Sequence, residues 1–146
     1  MTISPAAAVT GAGTHRTYLE VAAVSGAVPY ARHCTRHTLA AWKLAHLSSD
    51  AELIVSELMT NAVTATRGIR ATAPVALYLA LDDRRLTLLV WDACPALPAQ
   101  RQRDDDAAGG RGLQIVQALS DRWGTCAIPG RGKVVWARFD LTGPTE

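Results

Sequence analysis

Glu57-Leu58-Met59-Thr60-Asn61-Ala62 lies inside the stretch that decides the fold, Ala51 to Thr66, AELIVSELMTNAVTAT. Ile54, Leu58, Ala62 and Ala65 recur there at helical spacing and make one apolar stripe. Ser48-Ser49-Asp50 in front is a capping cluster, and Gly68 behind supplies a stop. Glu57 and Asn61 stand four apart, so they sit one above the other on a helix face. They border the apolar stripe, which aims them at a helix–sheet boundary rather than into bulk water. On an arbitrary helix such a pair is usually just solvated. Two further motifs, in a fixed order along the chain, reverse that balance.

Downstream, Pro74 to Leu81 and Leu86 to Trp91 read as strands around the turn Asp82-Asp83-Arg84. Asp92 closes the second strand, and Pro95 and Pro98 keep the strand from continuing. From Ala93 to Gly110 the chain is long for a loop and carries the charged run Arg101 to Asp106. Long loops in compact domains are usually functional lids or disordered. Gly109-Gly110-Arg111-Gly112-Leu113 then opens a short helix, Gly112 to Asp121, with Leu113, Val116, Ala118 and Leu119 mostly inward. Trp123 to Ile128, a turn at Pro129-Gly130-Arg131-Gly132, and Lys133 to Leu141 make a terminal hairpin.

Upstream, residues 15–24 read as an edge strand. Pro29 suits the first turn of a helix that runs to about Leu47. Tyr30, Cys34, Ala41, Trp42 and Ala45 would face the core, leaving Arg32, Arg36 and Lys43 as a basic face suited to an acidic partner. Residues 1–14 read as a flexible tail and 15–142 as one domain. Helices segregated from strands give an α/β (α+β) two-layer sandwich, about three helices on one face of a mixed, mostly antiparallel sheet.

Composition narrows the function. Nearly half the residues are hydrophobic, enough for a packed core. A net charge of +2, with one Phe and three Tyr, argues against direct nucleic-acid binding. No apolar run approaches the ~18 residues that span a bilayer. Three widely spaced cysteines, Cys34, Cys94 and Cys126, fit a reduced cytoplasmic setting. His33 and His37 also stand four apart, but no Glu follows His33 as a zinc-protease helix would need.

The three motifs have complementary chemistry. Asn61 offers Mg²⁺ an uncharged oxygen, and Glu57 can take a proton from an attacking hydroxyl. A buried Asp92 can accept a hydrogen bond from the exocyclic amine of adenine. The glycines at 109–112 let the backbone reach phosphates beside a helix N-terminus. Together they point to ATP.

With those residues in place, the chain resembles the ATP-binding proteins of the gyrase–Hsp90–histidine-kinase–MutL superfamily, from about Tyr30 to Phe139. More narrowly it is similar to the stand-alone anti-sigma factors that are serine-protein kinases, in the form abundant in actinobacteria. The resemblance rests on Ala51 to Val63, on Val90-Trp91-Asp92 through Pro98, on Gly110 through Leu119 to Trp123-Gly124, and on Gly132-Lys133-Val134-Val135-Trp136. It implies a Bergerat-type ATP-binding fold with ATP and Mg²⁺ as cofactors. Glu57 would be the general base, Asn61 the Mg²⁺ ligand and Asp92 the adenine reader. Gly110, Arg111, Gly112 and Leu113 would form the phosphate side, and the stretch between Asp92 and Gly109 the lid. The implied partners are a sigma factor or an antagonist of the anti-sigma factor, with a homodimer compatible. The alternative is a non-catalytic ATP-binding, or nucleotide-free, interaction module. Three positions depart from the pattern. Ala65 stands where many relatives carry His, Cys94 where the wider superfamily usually has Gly, and Val134 where a Thr often supplies a hydroxyl near the adenine.

Overall fold

The computed structural model describes residues 15–69, 72–95 and 109–141, with the backbone alone for 109–112. In chain order the elements are β1 (His15–Ala22), α1 (Ala27–Ala41), α2 (Ser48–Ile69), β2 (Pro74–Leu81), β3 (Arg85–Asp92), α3 (Gly109–Leu119), β4 (Arg122–Ala127) and β5 (Lys133–Asp140). The strands lie in the order β1-β2-β3-β5-β4, and every neighbouring pair is antiparallel. The expected mixed sheet is therefore wholly antiparallel. The α+β architecture, with three helices packed on the sheet, is as expected.

Strand phase explains the two faces. Val75, Leu77 and Leu79 of β2, Leu86, Leu88 and Val90 of β3, and Val135, Ala137 and Phe139 of β5 alternate inward. They meet Ile54, Val55, Leu58, Met59 and Ala62 of α2. Each large aliphatic side chain fully buried there contributes about 1.5–3 kcal/mol. The residues between point to the far face, where Ala76, Tyr78, Leu89 and Val134 cluster with Trp91, Ile128 and Trp136. The β2–β3 turn is set by Asp82, whose Oδ1 accepts the N–H groups of Arg84 at 2.8 Å and Arg85 at 2.9 Å. A side chain that holds its own turn in this way fixes the hairpin locally.

The helices correct the sequence reading in several places. α2 keeps its stripe (Ile54, Leu58, Ala62 and Ala65 are all buried) but runs through Gly68 to Ile69. A glycine inside a helix costs only about 1 kcal/mol against alanine, too little to stop a helix with so large a buried face. α1 ends at Ala41 instead of Leu47. Lys43 adopts φ 63°, and the N–H of Leu44 donates to the Leu39 carbonyl at 2.7 Å. That is a left-handed helix stop of the kind glycine usually supplies, made here by a lysine. A short 3₁₀ turn, Ala45–Leu47, leads into α2.

The inward face of α1 is Ala27, Ala31, Thr35 and Leu39. Tyr30, Ala41 and Ala45 are exposed, and Cys34 and Trp42 are half-buried, so the true core face is rotated from the expected one. The basic face is also partly spoken for. Arg36 pairs with Glu52 at 2.8 Å, and Arg32 donates to Ser56 Oγ at 3.2 Å. No helix among the described residues is long and apolar enough to cross a membrane.

Candidate functional site

Asp92 is the last residue of β3, in phase with Leu86, Leu88 and Val90, so it lies on the face that the helices cover. It is 2 % exposed. A carboxylate so buried must be paired or take up a proton. Its register partner is Lys133, the first residue of β5 and in phase with Val135, Ala137 and Phe139. Lys133 is 3 % exposed. Its Nζ donates to Asp92 Oδ1 at 2.8 Å and Oδ2 at 2.9 Å, with a longer contact to the Cys94 carbonyl at 3.4 Å. The Cys94 N–H donates to Asp92 Oδ1 at 2.8 Å. Cys94 thus serves through its backbone, and a cysteine there leaves that bond in place.

Gly132 makes this closeness attainable. Its φ is +86°, and a Cβ there would lie 2.0 Å from the Asp92 carbonyl oxygen and 2.7 Å from Ala93 Cα. Only glycine lets β5 begin against the end of β3.

Val134 pairs with Trp91 in the register and belongs to the far-face cluster. A hydroxyl at 134 would point away from Asp92. The residue beside the carboxylate is Lys133, which the motif reading did not single out. Strand phase carried the signal. Lys133 opens an inward series of apolar residues on β5, as Asp92 closes one on β3, and two opposite charges in that phase are expected to meet.

Glu57 and Asn61 are half-buried on α2, which packs against β2, β3 and α3 on the same side of the sheet as Asp92. Among the described residues neither side chain is tied up in a hydrogen bond or ion pair. No group of three His, Cys, Asp or Glu among the described residues could hold a metal. Asn61 carries an uncharged side-chain oxygen, a donor of the kind Mg²⁺ takes together with phosphate oxygens and water.

α3 begins at Gly109, three residues before the expected start. Gly110, Arg111 and Gly112 thus form its first turn, where backbone N–H groups lack intrahelical acceptors. Leu113 is buried at 4 % exposure, so its side chain packs inward. The expected lid, with its charged run, falls mostly on residues 96–108, outside the described residues, as does the tail 1–14. Ala65 is buried at 5 %.

The chain matches the family model of the histidine kinase-like ATPase domain over residues 21–139. A search of curated proteins found no match. The family match spans all three motifs and all three helices. With the five-stranded antiparallel sheet beneath them, the conclusion is that this chain belongs to the histidine kinase-like ATPase domain family, whose members are ATP-binding, kinase-like modules.

Proposed function

We propose that the protein is an anti-sigma-factor-like regulator that uses Mg-ATP to phosphorylate a serine or threonine on a protein partner. The partners would be a sigma factor, an antagonist of the anti-sigma factor, or both in turn. One observation carries the reading. The buried Asp92 carboxylate stands on the sheet face covered by α2, and α2 brings Glu57 and Asn61 to that same side.

In this arrangement Asp92 accepts a hydrogen bond from the amine of adenine, and Gly132 lets β5 begin against the backbone of Asp92 and Ala93. Phosphoryl transfer needs chiefly positioning and charge stabilisation. Mg²⁺, when bound through Asn61, supplies part of that charge stabilisation. The first-turn N–H groups of α3 orient the phosphates. Glu57 takes the proton from the partner's hydroxyl, a contribution of about 10²–10⁴-fold for such a base.

Calorimetry with Mg-ATP, followed by phosphate transfer to a partner, tests the reading. Glu57→Ala should keep ATP and lose transfer. Asn61→Ala should lose the Mg²⁺ dependence of binding. No binding at millimolar ATP would end the enzyme reading.

Lys133 donates to the same Asp92 oxygens that adenine would use, which favours a second reading, a nucleotide-free interaction module. Partner binding with no ATP binding would select it.

A further inference from the structure

The buried cation beside the base-reading carboxylate has work to do that neither the motifs nor the family assign. Lys133 presents three hydrogens and meets three oxygens, both of Asp92 and the carbonyl of Cys94. The Cys94 N–H fixes Oδ1 from a second side. Among the described residues, the Cys94 N–H and the Lys133 ammonium orient the carboxyl group, and Lys133 brings it a positive charge.

The charge state of Asp92 decides what it can recognise. An ionised carboxylate only accepts hydrogen bonds, whereas a protonated one also donates through its O–H. At 2 % exposure, a carboxyl with no cation beside it favours the neutral acid. A neutral acid can answer a carbonyl oxygen as readily as an amine. An ionised carboxylate facing a carbonyl meets two acceptors with no hydrogen between them. Sites built around a fixed donor–acceptor pattern discriminate strongly, because the wrong ligand leaves buried polar groups unmatched.

We propose that Lys133 is a specificity-determining residue of the base pocket: by neutralising Asp92 in place, it keeps that carboxylate a pure acceptor, so the site takes a purine with an amino group at position 6 and turns away one with an oxo group there. The inference rests on Asp92 as the base reader. Lys133 acts through Asp92 and is a positioning residue.

The test compares ATP with inosine triphosphate on the full chain at pH 7, by calorimetry, for wild type, Lys133→Met, Lys133→Gln and Lys133→Arg. Wild type should favour ATP by about tenfold or more, the value of a hydrogen bond to a charged group. Lys133→Arg keeps a cation and should keep most of that preference. Lys133→Met should bring the two nucleotides close together. Lys133→Gln serves the same purpose if the methionine variant does not fold, since its amide can still donate to Asp92 without charge. Carbon NMR of the Asp92 carboxyl in the nucleotide-free protein gives a second readout. It should sit at the ionised position in wild type and Lys133→Arg, and move toward the protonated position in the neutral variants.

A folded neutral variant that discriminates as strongly as wild type, with Asp92 still ionised, overturns the role of Lys133 alone. Wild type that binds ATP without preference over the inosine nucleotide overturns it as well. Wild type that binds neither nucleotide removes the base-reading role of Asp92, and the inference with it.

Discussion

Two ion pairs of equal length sit at opposite ends of the polarity scale in this molecule. Arg36 and Glu52 join α1 to α2 at 2.8 Å, with side chains 58 % and 17 % exposed. Lys133 and Asp92 join β5 to β3 at the same 2.8 Å, each 3 % exposed. Distance does not separate them; water does. The surface pair trades hydration for a screened attraction and must hold two long side chains still. The buried pair has given up hydration on both ions, several kcal/mol each, and recovers it only through close geometry and further hydrogen bonds. The first fine-tunes a helix contact. The second defines the chemical character of a site.

The sharpest way to break the comparison is to remove one member of the buried pair. Lys133→Met should cost about 3–5 kcal/mol, a large part of the 5–15 kcal/mol that holds a typical domain. The double change Lys133→Met with Asp92→Asn removes the carboxyl that would otherwise have to stay charged without its cation or take up a proton, and should regain most of that loss. Chemical denaturation of the single and double variants measures it, and a double variant no more stable than the single would show that charge is not the issue.

Next in size is Gly132→Ala. The left-handed backbone alone costs roughly 1–2 kcal/mol for a residue with a Cβ, and the collision with the Asp92 carbonyl adds to it. Stability should fall by more than about 2 kcal/mol, and ATP affinity should fall with it, because β5 must move off the end of β3. An unchanged nucleotide affinity would detach Gly132 from the site.

A smaller effect, on nucleotide affinity, tests the base reader. Asp92→Asn should weaken ATP by about 1.5–3 kcal/mol, or more than tenfold, and because it strands the Lys133 ammonium its loss of stability should resemble that of Lys133→Met. Calorimetry reads this directly.

The smallest effect belongs to the surface pair. The Glu52 carboxyl is held below the usual carboxylate range, first by its hydrogen bond from Arg36 and against the opposing effect of burial, with Ser48 also donating to it. A lowered pKa means stability that is present above the unfolded value, near 4.3, and is lost as pH falls through the lower folded value. Arg36→Met should flatten that acid limb, and salt should do the same to wild type. Denaturation midpoints followed into acid would show it, and identical acid limbs in the two proteins would mean that the pair contributes nothing.

Much of the fold could be read without coordinates because its signals are local. The α2 stripe is a 3.6-residue pattern over sixteen positions, and the β2–β3 hairpin has alternating residues with an aspartate that makes its own turn. The end of α1 was hidden because a lysine occupies the left-handed stop where glycine would have announced it. The face of α1 was hidden because small residues, Ala27, Ala31 and Thr35, form the contact while the larger Tyr30 stays outside. In the candidate site the motifs marked Glu57, Asn61 and Asp92, but not the partner of Asp92. That pairing is a matter of register between strands far apart in sequence, which becomes visible only when the two inward series are laid side by side.

The strand order has a consequence for how the chain assembles. β1, β2 and β3, with α1 and α2, come from one continuous stretch, and α3, β4 and β5 from another. The two stretches meet along the β3–β5 seam, where Asp92 and Lys133 are separated by 41 positions. Closing that loop costs chain entropy before any contact across it repays the cost. The β2–β3 hairpin and the α1–α2 pair join near neighbours in sequence and should organise first. That leaves the β3–β5 seam to zip late, together with the β1–β2 pairing, whose register runs from Ala22 with Pro74 to His15 with Leu81. Truncating Val135 to alanine should then speed unfolding and leave the folding rate almost unchanged, whereas truncating Leu58 should slow folding. A Val135 variant that folds as slowly as the Leu58 variant would place the seam in the nucleus.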